Sequence, residues 1–531
     1  MADQFVRVNQ VGYAPQDRKT AAVLGTKGSF LLRTLEGREV LSGTLECAAG
    51  VDAASGDRVC WADFSAAPAG RYRIELPELG LCAPIDVREQ PYEPLLRALL
   101  KGLYYMRCGC ALEAEHAGPW THGLCHTLPA VNYGDLCANR DVSGGWHDAG
   151  DYGKYVVPGA TAVAMLLLAF ERCPQAFAAP TGIPGSGGMP DVLREARWEL
   201  EWLLKMQLSN GSVLHKATTV TFPGFCMPED DDGQIVVSPV STAATADFAA
   251  CLAMASRIYA PYDSPWAALL LERARLAWQW LQVTPDKPFR NPRGVVTGEY
   301  GDTDLRDERL WAAVALYRAT GEAPFADAAA ALLGGDVDKT DFGWSEVGGF
   351  AAAEALAMEN CPPALRQPLE QAVRARAQRL HAVAQADGYR VPMAAEDYIW
   401  GSTMVLMNHA ALLLLAAQYC DQPEYAQTAL DSVHWLLGRN PLSQCFVTGF
   451  GRRPILWPHY RPAEADMVEA PVPGLVSGGP NRNRQDRAVQ KLLPVETPPA
   501  RMFVDDSSSY SSNEVAIYWN TAAIFVVAHF V

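Results

Sequence analysis

Residues 144–155 read Gly-Gly-Trp-His-Asp-Ala-Gly-Asp-Tyr-Gly-Lys-Tyr, which puts two carboxylates, Asp148 and Asp151, three positions apart among glycines, with His147 directly before them. Glycine lets a backbone turn sharply and approach a ligand closely. Asp148 and Asp151 can therefore hold one water between them, as a general base and its helper. The run 155–172 is apolar enough for a buried helix, which sets both acids at a helix N-terminus, where negative charge is favoured. An Asp-rich turn that merely caps this helix is the plainer reading of the same residues. A second acidic site stands near the end of the chain, where Asp505-Asp506-Ser-Ser-Ser-Tyr510-Ser-Ser-Asn513-Glu514-Val515 leads into an apolar run. A carboxyl at the edge of a packed element is partly desolvated, which raises its pKa and keeps it protonated as a general acid. The alternative is a first-turn glutamate favoured by the helix dipole, with Asn513 as N-cap.

Taken whole, the string 144–155 resembles the signature of glycoside hydrolase family 9, the inverting cellulases and their relatives, and Tyr510-Ser-Ser-Asn-Glu-Val matches that family's acid motif. The resemblance implies Asp151 as base, Asp148 as a second acceptor orienting the water, and Glu514 as the acid that protonates the leaving group. An inverting pair stands roughly 6.5–9.5 Å apart to admit the attacking water. The segment Trp457-Pro-His459-Tyr-Arg461-Pro resembles the family loop that sets a His and an Arg beside the scissile sugar; both can donate hydrogen bonds to sugar hydroxyls. Aromatic platforms suit the apolar faces of glucose rings, and Trp400, Trp311 and Tyr510 are the candidates, together with Trp146 and Trp457; each also reads as simple core. Asp505 and Asp506 are expected to orient the acid or cap its turn.

Two metal sites are expected. Cys108, Cys125, His126 and His147 make a Cys2His2 set suited to tetrahedral structural zinc, with Cys110 and His122 as competing ligands and with family members carrying zinc at matching positions. Four protein ligands leave no open position for water, so the ion's role would be positional. Asp302, Asp304 and Asp307 offer hard oxygen ligands for a structural calcium, or simply an acidic helix start. The acidic run 227–232 receives no ligand role.

A net charge of -16 argues against nucleic acid or an anionic membrane surface and suits a neutral sugar. No apolar run is long enough to span a bilayer. Met1 to Phe5 lack the regions of a signal peptide, which gives a cytoplasmic expectation; a secreted or periplasmic protein already relieved of its signal would read the same. The 13 cysteines are odd in number and scattered, more like reduced thiols than a disulfide framework. A monomer is expected.

The elements that must position these residues fall in two blocks. Short alternating runs at 21–24, 30–34, 59–64 and 72–76, separated by glycine turns, have the spacing of a β-sandwich, and Val8-Asn-Gln-Val-Gly-Tyr13 resembles the immunoglobulin-like module that precedes many family 9 catalytic domains. The period then changes from two to about 3.6. Twelve helices are predicted, at roughly 92–112, 155–173, 190–208, 240–260, 264–282, 305–320, 323–334, 347–358, 362–386, 399–419, 422–438 and 513–531. Twelve helices suit six hairpins closed into a barrel, or an open solenoid; the resemblance implies the barrel. The expected organisation is an immunoglobulin-like sandwich over 1–88, a proline-stiffened linker over 89–96, and a mainly α, (α/α)6-barrel catalytic domain over 97–531. The implied function is an endo-acting, inverting β-1,4-glucanase acting on cellulose, cellodextrins or related β-glucans. An exo-acting cellodextrinase or exo-β-glucosaminidase is the alternative within the family, and a sugar-binding scaffold the alternative outside enzymes.

Overall fold

Strands β1 (Val6–Arg7), β2 (Thr20–Leu24), β3 (Ser29–Thr34), β4 (Glu39–Thr44), β5 (Glu46–Cys47), β6 (Val59–Asp63), β7 (Gly70–Leu76) and β8 (Leu81–Val87) fold into two four-stranded sheets, ordered β1-β2-β6-β5 and β4-β3-β7-β8. The protein is described by a computed structural model covering residues 5–25, 27–48, 50–185 and 187–531, with the backbone alone at 136–138. The first four residues, on which the expectation about the N-terminus rests, lie outside the described residues. In β7 the side chains of Tyr72, Ile74 and Leu76 are buried, and Tyr72 pairs with Ile85 and Ile74 with Ala83 of β8. This is the alternation of strands with one face on a core. Cys47 and Cys60 face each other across β5 and β6 and form a disulfide, so one pair departs from the expected reduced state. Strand pairing, which no cysteine count reveals, brings them opposite each other.

The sandwich is fastened to the larger domain. Val11, Ala22, Val59 and Trp61 join that domain's hydrophobic core rather than the sandwich's own. Gln10 donates from Nε2 to Ser443 O at 2.8 Å and accepts the N–H groups of Arg452 and Arg453. Buried Arg439 pairs with Asp431 and donates to Thr20 at 2.7 Å. After β8 the first helix already starts at Glu93, with Pro94 in its first turn. Its fixed φ suits that place, so Pro94 begins the helix instead of stiffening a linker.

Twelve helices of ten or more residues are present among the described residues: α1 (Glu93–Tyr105), α2 (Val156–Arg172), α3 (Asp191–Met206), α4 (Thr242–Tyr259), α5 (Ser264–Val283), α6 (Arg306–Thr320), α7 (Ala323–Leu333), α8 (Gly348–Ala357), α9 (Pro363–Ala386), α10 (Ser402–Tyr419), α11 (Glu424–Leu436) and α12 (Ile517–Ala528). The even-numbered helices each pack on the next, and α12 packs back on α2, so they close into an inner ring; the odd-numbered ones cover it outside. This closure rules out the solenoid. Composition sorts the two rings. Every residue of α2 from Val156 to Phe170 is buried, as expected of a helix apolar all round. Outer α9 buries only Leu365, Leu369, Val373, Ala377, Leu380 and Ala384, a single stripe at helical spacing.

A small sheet is also present that the sequence does not announce. Strands β9 (Ala130–Asn132), β10 (Asp135–Arg140), β11 (Lys154–Tyr155), β12 (Lys216–Thr218) and β13 (Val236–Val237) run in the order β10-β9-β13-β12-β11. Through the pairs Lys154↔Ala217 and Tyr155↔Lys216 this sheet fixes the segment between the Asp148/Asp151 loop and α2.

Candidate active site

The segments leading into five of the six inner helices, together with Phe222 upstream of α4, converge on one cavity of about 400 Å³. Asp148 and Asp151 precede α2, Tyr300 precedes α6, Trp344 precedes α8 and Trp400 precedes α10. Glu514, Tyr518 and Trp519 stand at the start of α12. The barrel thus brings the two carboxylate sites together from opposite ends of the catalytic domain.

Neither acid site sits where the helix argument places it. The loop 148–153 and strand β11 separate Asp148 and Asp151 from α2, whose N-cap is Tyr155. Glu514 is not in a first helical turn. A four-residue helix, Tyr510–Asn513, ends before it, Glu514 is extended (φ -68°, ψ 163°), and α12 starts only at Ile517. Asn513 is correspondingly not an N-cap. Its Nδ2 donates to Trp457 O at 2.6 Å and to Asp505 Oδ1 at 3.0 Å, and its carbonyl accepts the N–H of His459. Asp505 also accepts the N–H groups of Leu456 and Trp457. Asp505 therefore clamps the acid segment to the His459 loop, while Asp506 closes the local turn through Ser508 N at 2.8 Å.

The Asp148/Asp151 loop is braced from beneath. Trp146 N–H donates to Glu199 at 2.6 Å and its indole N–H to Glu195 at 2.9 Å, and Glu195 is gripped by Arg107. Trp146 is thus a buried strut and not a sugar platform. Gly150 is demanded by close approach: a Cβ there would lie 2.3 Å from His459 O and 3.2 Å from Glu514 Oε1. Only a bare backbone lets the loop lie this close to the acid.

The three carboxyls are differently held. Asp151 Oδ2 accepts the Gly153 N–H at 2.9 Å. Burial raises its pKa, opposed by the Arg461 charge and that N–H. Glu514 is pushed well above the ordinary range, first by burial and then by the charges of Asp151 and Asp148. Asp148 is also raised, chiefly by burial. Its Oδ2 accepts from the Tyr300 hydroxyl at 2.5 Å, and its buried Oδ1 has no hydrogen-bond partner among the described residues. Tyr300 adopts φ 45°, a left-handed backbone rare for a side-chain-bearing residue. It is one of the site residues not recognised in sequence. Lys216 stabilises the preceding segment by donating to Asn291 Oδ1, Thr297 and Gly298 O; burial lowers its pKa to about 8.

The expected sugar contacts divide. His459 Nδ1 donates to Ser507 O at 2.5 Å, fixing the ring and leaving Nε2 as its acceptor nitrogen. Arg461 spends its donors on backbone, from Nη1 to Gly150 O (2.7 Å) and from Nε and Nη2 to Pro223 O (3.0 and 2.9 Å). Those bonds position loops. Trp400 lines the cavity, 38 % exposed, with Tyr510 centred 5.4 Å away. Trp457 is exposed outside this cavity. Trp311 is wholly buried in α6, stacked on Phe350, a core residue and no platform. The aromatic wall missed in sequence is Phe222, Trp344, Tyr518 and Trp519. Tyr518 and Trp519 are visible beside Glu514, but their apolar neighbours disguise them as core.

Of the expected metal ligands, Cys108, Cys125, His126 and His147 gather with their ligand atoms all within 4.8 Å of one another. The Arg107–Trp146 bridge and the Cys108 N–H bond to Gly145 O set Cys108 beside His147. Among the described residues this is the one group that could hold a metal. Cys110 and His122 lie outside it. Among the described residues Asp302, Asp304 and Asp307 do not form a comparable side-chain group, and a calcium site there is not shown. Asp304 is paired with Arg306, Asp302 accepts the Asp304 N–H, and Asp307 turns inward to accept the Val347 N–H at 2.8 Å.

Comparison with known proteins agrees with this architecture. Residues 92–527 match the model of glycosyl hydrolase family 9, and residues 2–80 that of the cellulase N-terminal ig-like domain. A cellodextrinase from Butyrivibrio fibrisolvens is 36% identical over 98% of this chain and 99% of its own. Among solved structures, a single-mutant thermostable endoglucanase from Alicyclobacillus acidocaldarius superposes with a TM-score of 0.94 at 40% identity, covering 99% of both chains. A Zn-binding triple mutant of the family 9 endoglucanase J30 gives 0.91 at 34%, covering 97% of this chain and 99% of that one. The barrel, the paired acid segments and the family match over nearly the whole catalytic region lead to one conclusion: this chain is a glycoside hydrolase and belongs to glycosyl hydrolase family 9.

Proposed function

We propose that the protein is an inverting, endo-acting β-1,4-glucanase. The observation that carries this reading is the meeting of Asp151 and Glu514, from opposite ends of the catalytic domain, in one aromatic-lined cavity. Asp151 takes a proton from the water that attacks the anomeric carbon, and Glu514 gives its proton to the departing oxygen. Asp148, held by Tyr300, is the second acceptor for that water. Trp344 and Trp400 offer flat apolar surface to sugar rings. The names of the relatives, a cellodextrinase and an endoglucanase, support β-1,4-linked glucose as the substrate. Neutral glucose fits better than glucosamine: the further acid on the cavity wall, Glu299, is paired with Arg290 and the Asn291 N–H.

The same proposal includes one structural zinc on Cys108, Cys125, His126 and His147. Two sulfur and two imidazole donors match zinc's preference, and three of the four residues are buried. The ion would crosslink the ligand loop 108–126 to the segment that carries Asp148.

Incubation with carboxymethyl-cellulose and cellopentaose tests the reading. The expected result is a rapid fall in polymer viscosity with mixed short products. Short products from one chain end, with viscosity unchanged, would overturn endo action, and no sugar release at all would overturn the reading whole.

A further inference from the structure

The acidic run 227–232 plays no part in the hydrolysis itself. Its side chains nevertheless close on the Cys/His cluster. Asp231 Oδ2 lies 3.3 Å from Nε2 of His126, and the two side chains are only 6% and 3% exposed. The other nitrogen of that ring, Nδ1, lies 3.2 Å from Nε2 of His147, inside the cluster. One face of His126 thus meets the metal ligands and the other meets a carboxylate. An imidazole that ligates through Nδ1 keeps its proton on Nε2. A carboxylate accepting that proton fixes the tautomer and orientation of the ring and strengthens it as a ligand. Glu229 adds a second tie, accepting the Gly123 N–H at 2.7 Å, on the loop that carries Cys125 and His126.

The same segment runs on to the cleft. The hydroxyl of Tyr152, the residue after Asp151, donates to Cys226 O at 2.5 Å. Pro223 O accepts two bonds from Arg461, whose Nη1 donates to Gly150 O. Phe225 meets the His459 ring edge-on at 5.6 Å, and Phe222 lines the cavity.

We propose that Asp231 is the outer-sphere anchor of the metal centre, and that through it a bound metal holds residues 222–233, with Phe222 and Phe225, in place along the substrate cleft. Asp231 is on this account a positioning residue. The inference rests on the four-ligand zinc reading and deepens it. The acidic run is then a strap between the metal and the sugar-binding wall.

The test compares purified zinc-loaded wild type with Asp231→Ala and Asp231→Asn. The readouts are zinc content, the rate of zinc release to a colorimetric chelator, hydrogen exchange over 219–233, and kinetics on cellopentaose. Asp231→Ala should release zinc about 10–100-fold faster. Exchange over 219–233 should rise, and KM should rise while kcat stays close to wild type. Asp231→Asn, which keeps an acceptor oxygen, should fall between; it carries the comparison if the alanine variant does not fold. Zinc-stripped wild type should show the same raised exchange, with no further rise on stripping Asp231→Ala. Zinc release at the wild-type rate from Asp231→Ala, or exchange over 219–233 unmoved by both the substitution and stripping, overturns the anchor alone. A wild-type protein that takes up no zinc overturns the metal reading beneath it, and the anchor with it.

Discussion

Asp151→Asn lowers turnover by about 10²–10⁴-fold on cellopentaose and on a nitrophenyl cellobioside alike, whereas Glu514→Gln lowers it comparably on cellopentaose and far less on the nitrophenyl substrate. The difference comes from where each proton goes. A sugar leaving group departs as an alkoxide unless protonated, so loss of Glu514 is felt in full. A nitrophenolate leaves without that help. Water activation is needed for both substrates, so loss of Asp151 cannot be masked by the leaving group. The pH profile carries the same assignment. An acid must be protonated, so activity is lost as pH rises through the Glu514 pKa, which burial and the neighbouring carboxylates push well above its ordinary value. A base must be ionised, so activity is lost as pH falls through the Asp151 pKa, which burial also raises. On the nitrophenyl substrate Glu514→Gln should lose the alkaline limb and keep the acid one. Equal losses for the two variants on both substrates would break the division of roles.

Cys125→Ser abolishes tight zinc binding and lowers the melting temperature, by less per kcal/mol lost than in a small domain because the unfolding entropy grows with size. Wild type should carry about one zinc per chain and melt higher with added zinc, because a ligand that binds only the folded state stabilises it by mass action. The substitution removes one of two thiolates from a set whose atoms already lie within one ion's reach, and three ligands hold zinc far less firmly. Wild type and variant with the same melting temperature and zinc content would show that these residues are ordinary buried thiols and imidazoles.

Much of the framework is legible in the sequence because it rests on periodicity. All twelve helices appear near their expected positions, and α2 shows why: an unbroken apolar run has nowhere to go but the inner ring. The acid motifs are legible as residue types at short spacing. Their backbone is not. The apolar run directly after Glu514 points to a helix start there, but its extended backbone pairs with His459 in a parallel bridge, a contact across more than fifty residues. Trp311 illustrates the opposite error. Its neighbours Leu310, Val314 and Ala315 are all buried with it, and that helical period already marks it as core. Tyr300, Trp344 and Phe222 lie in loops without a period, where only the fold shows that they face the same cavity. Strands of two residues, such as β11 and β13, are too short to carry any pattern. The role of Arg461 is hidden for a related reason: a guanidinium held by two backbone carbonyls looks in sequence like one free to bind sugar.

The most direct test of the account is the anomeric form of the first product. Proton NMR during early hydrolysis of a β-linked cello-oligosaccharide distinguishes one displacement from two before mutarotation blurs the signal. A single displacement by water activated at Asp151, with Glu514 as acid, predicts that the new reducing end appears as the α-anomer. A β-anomer appearing first would mean a covalent intermediate and would contradict the assignment of Asp151 as base.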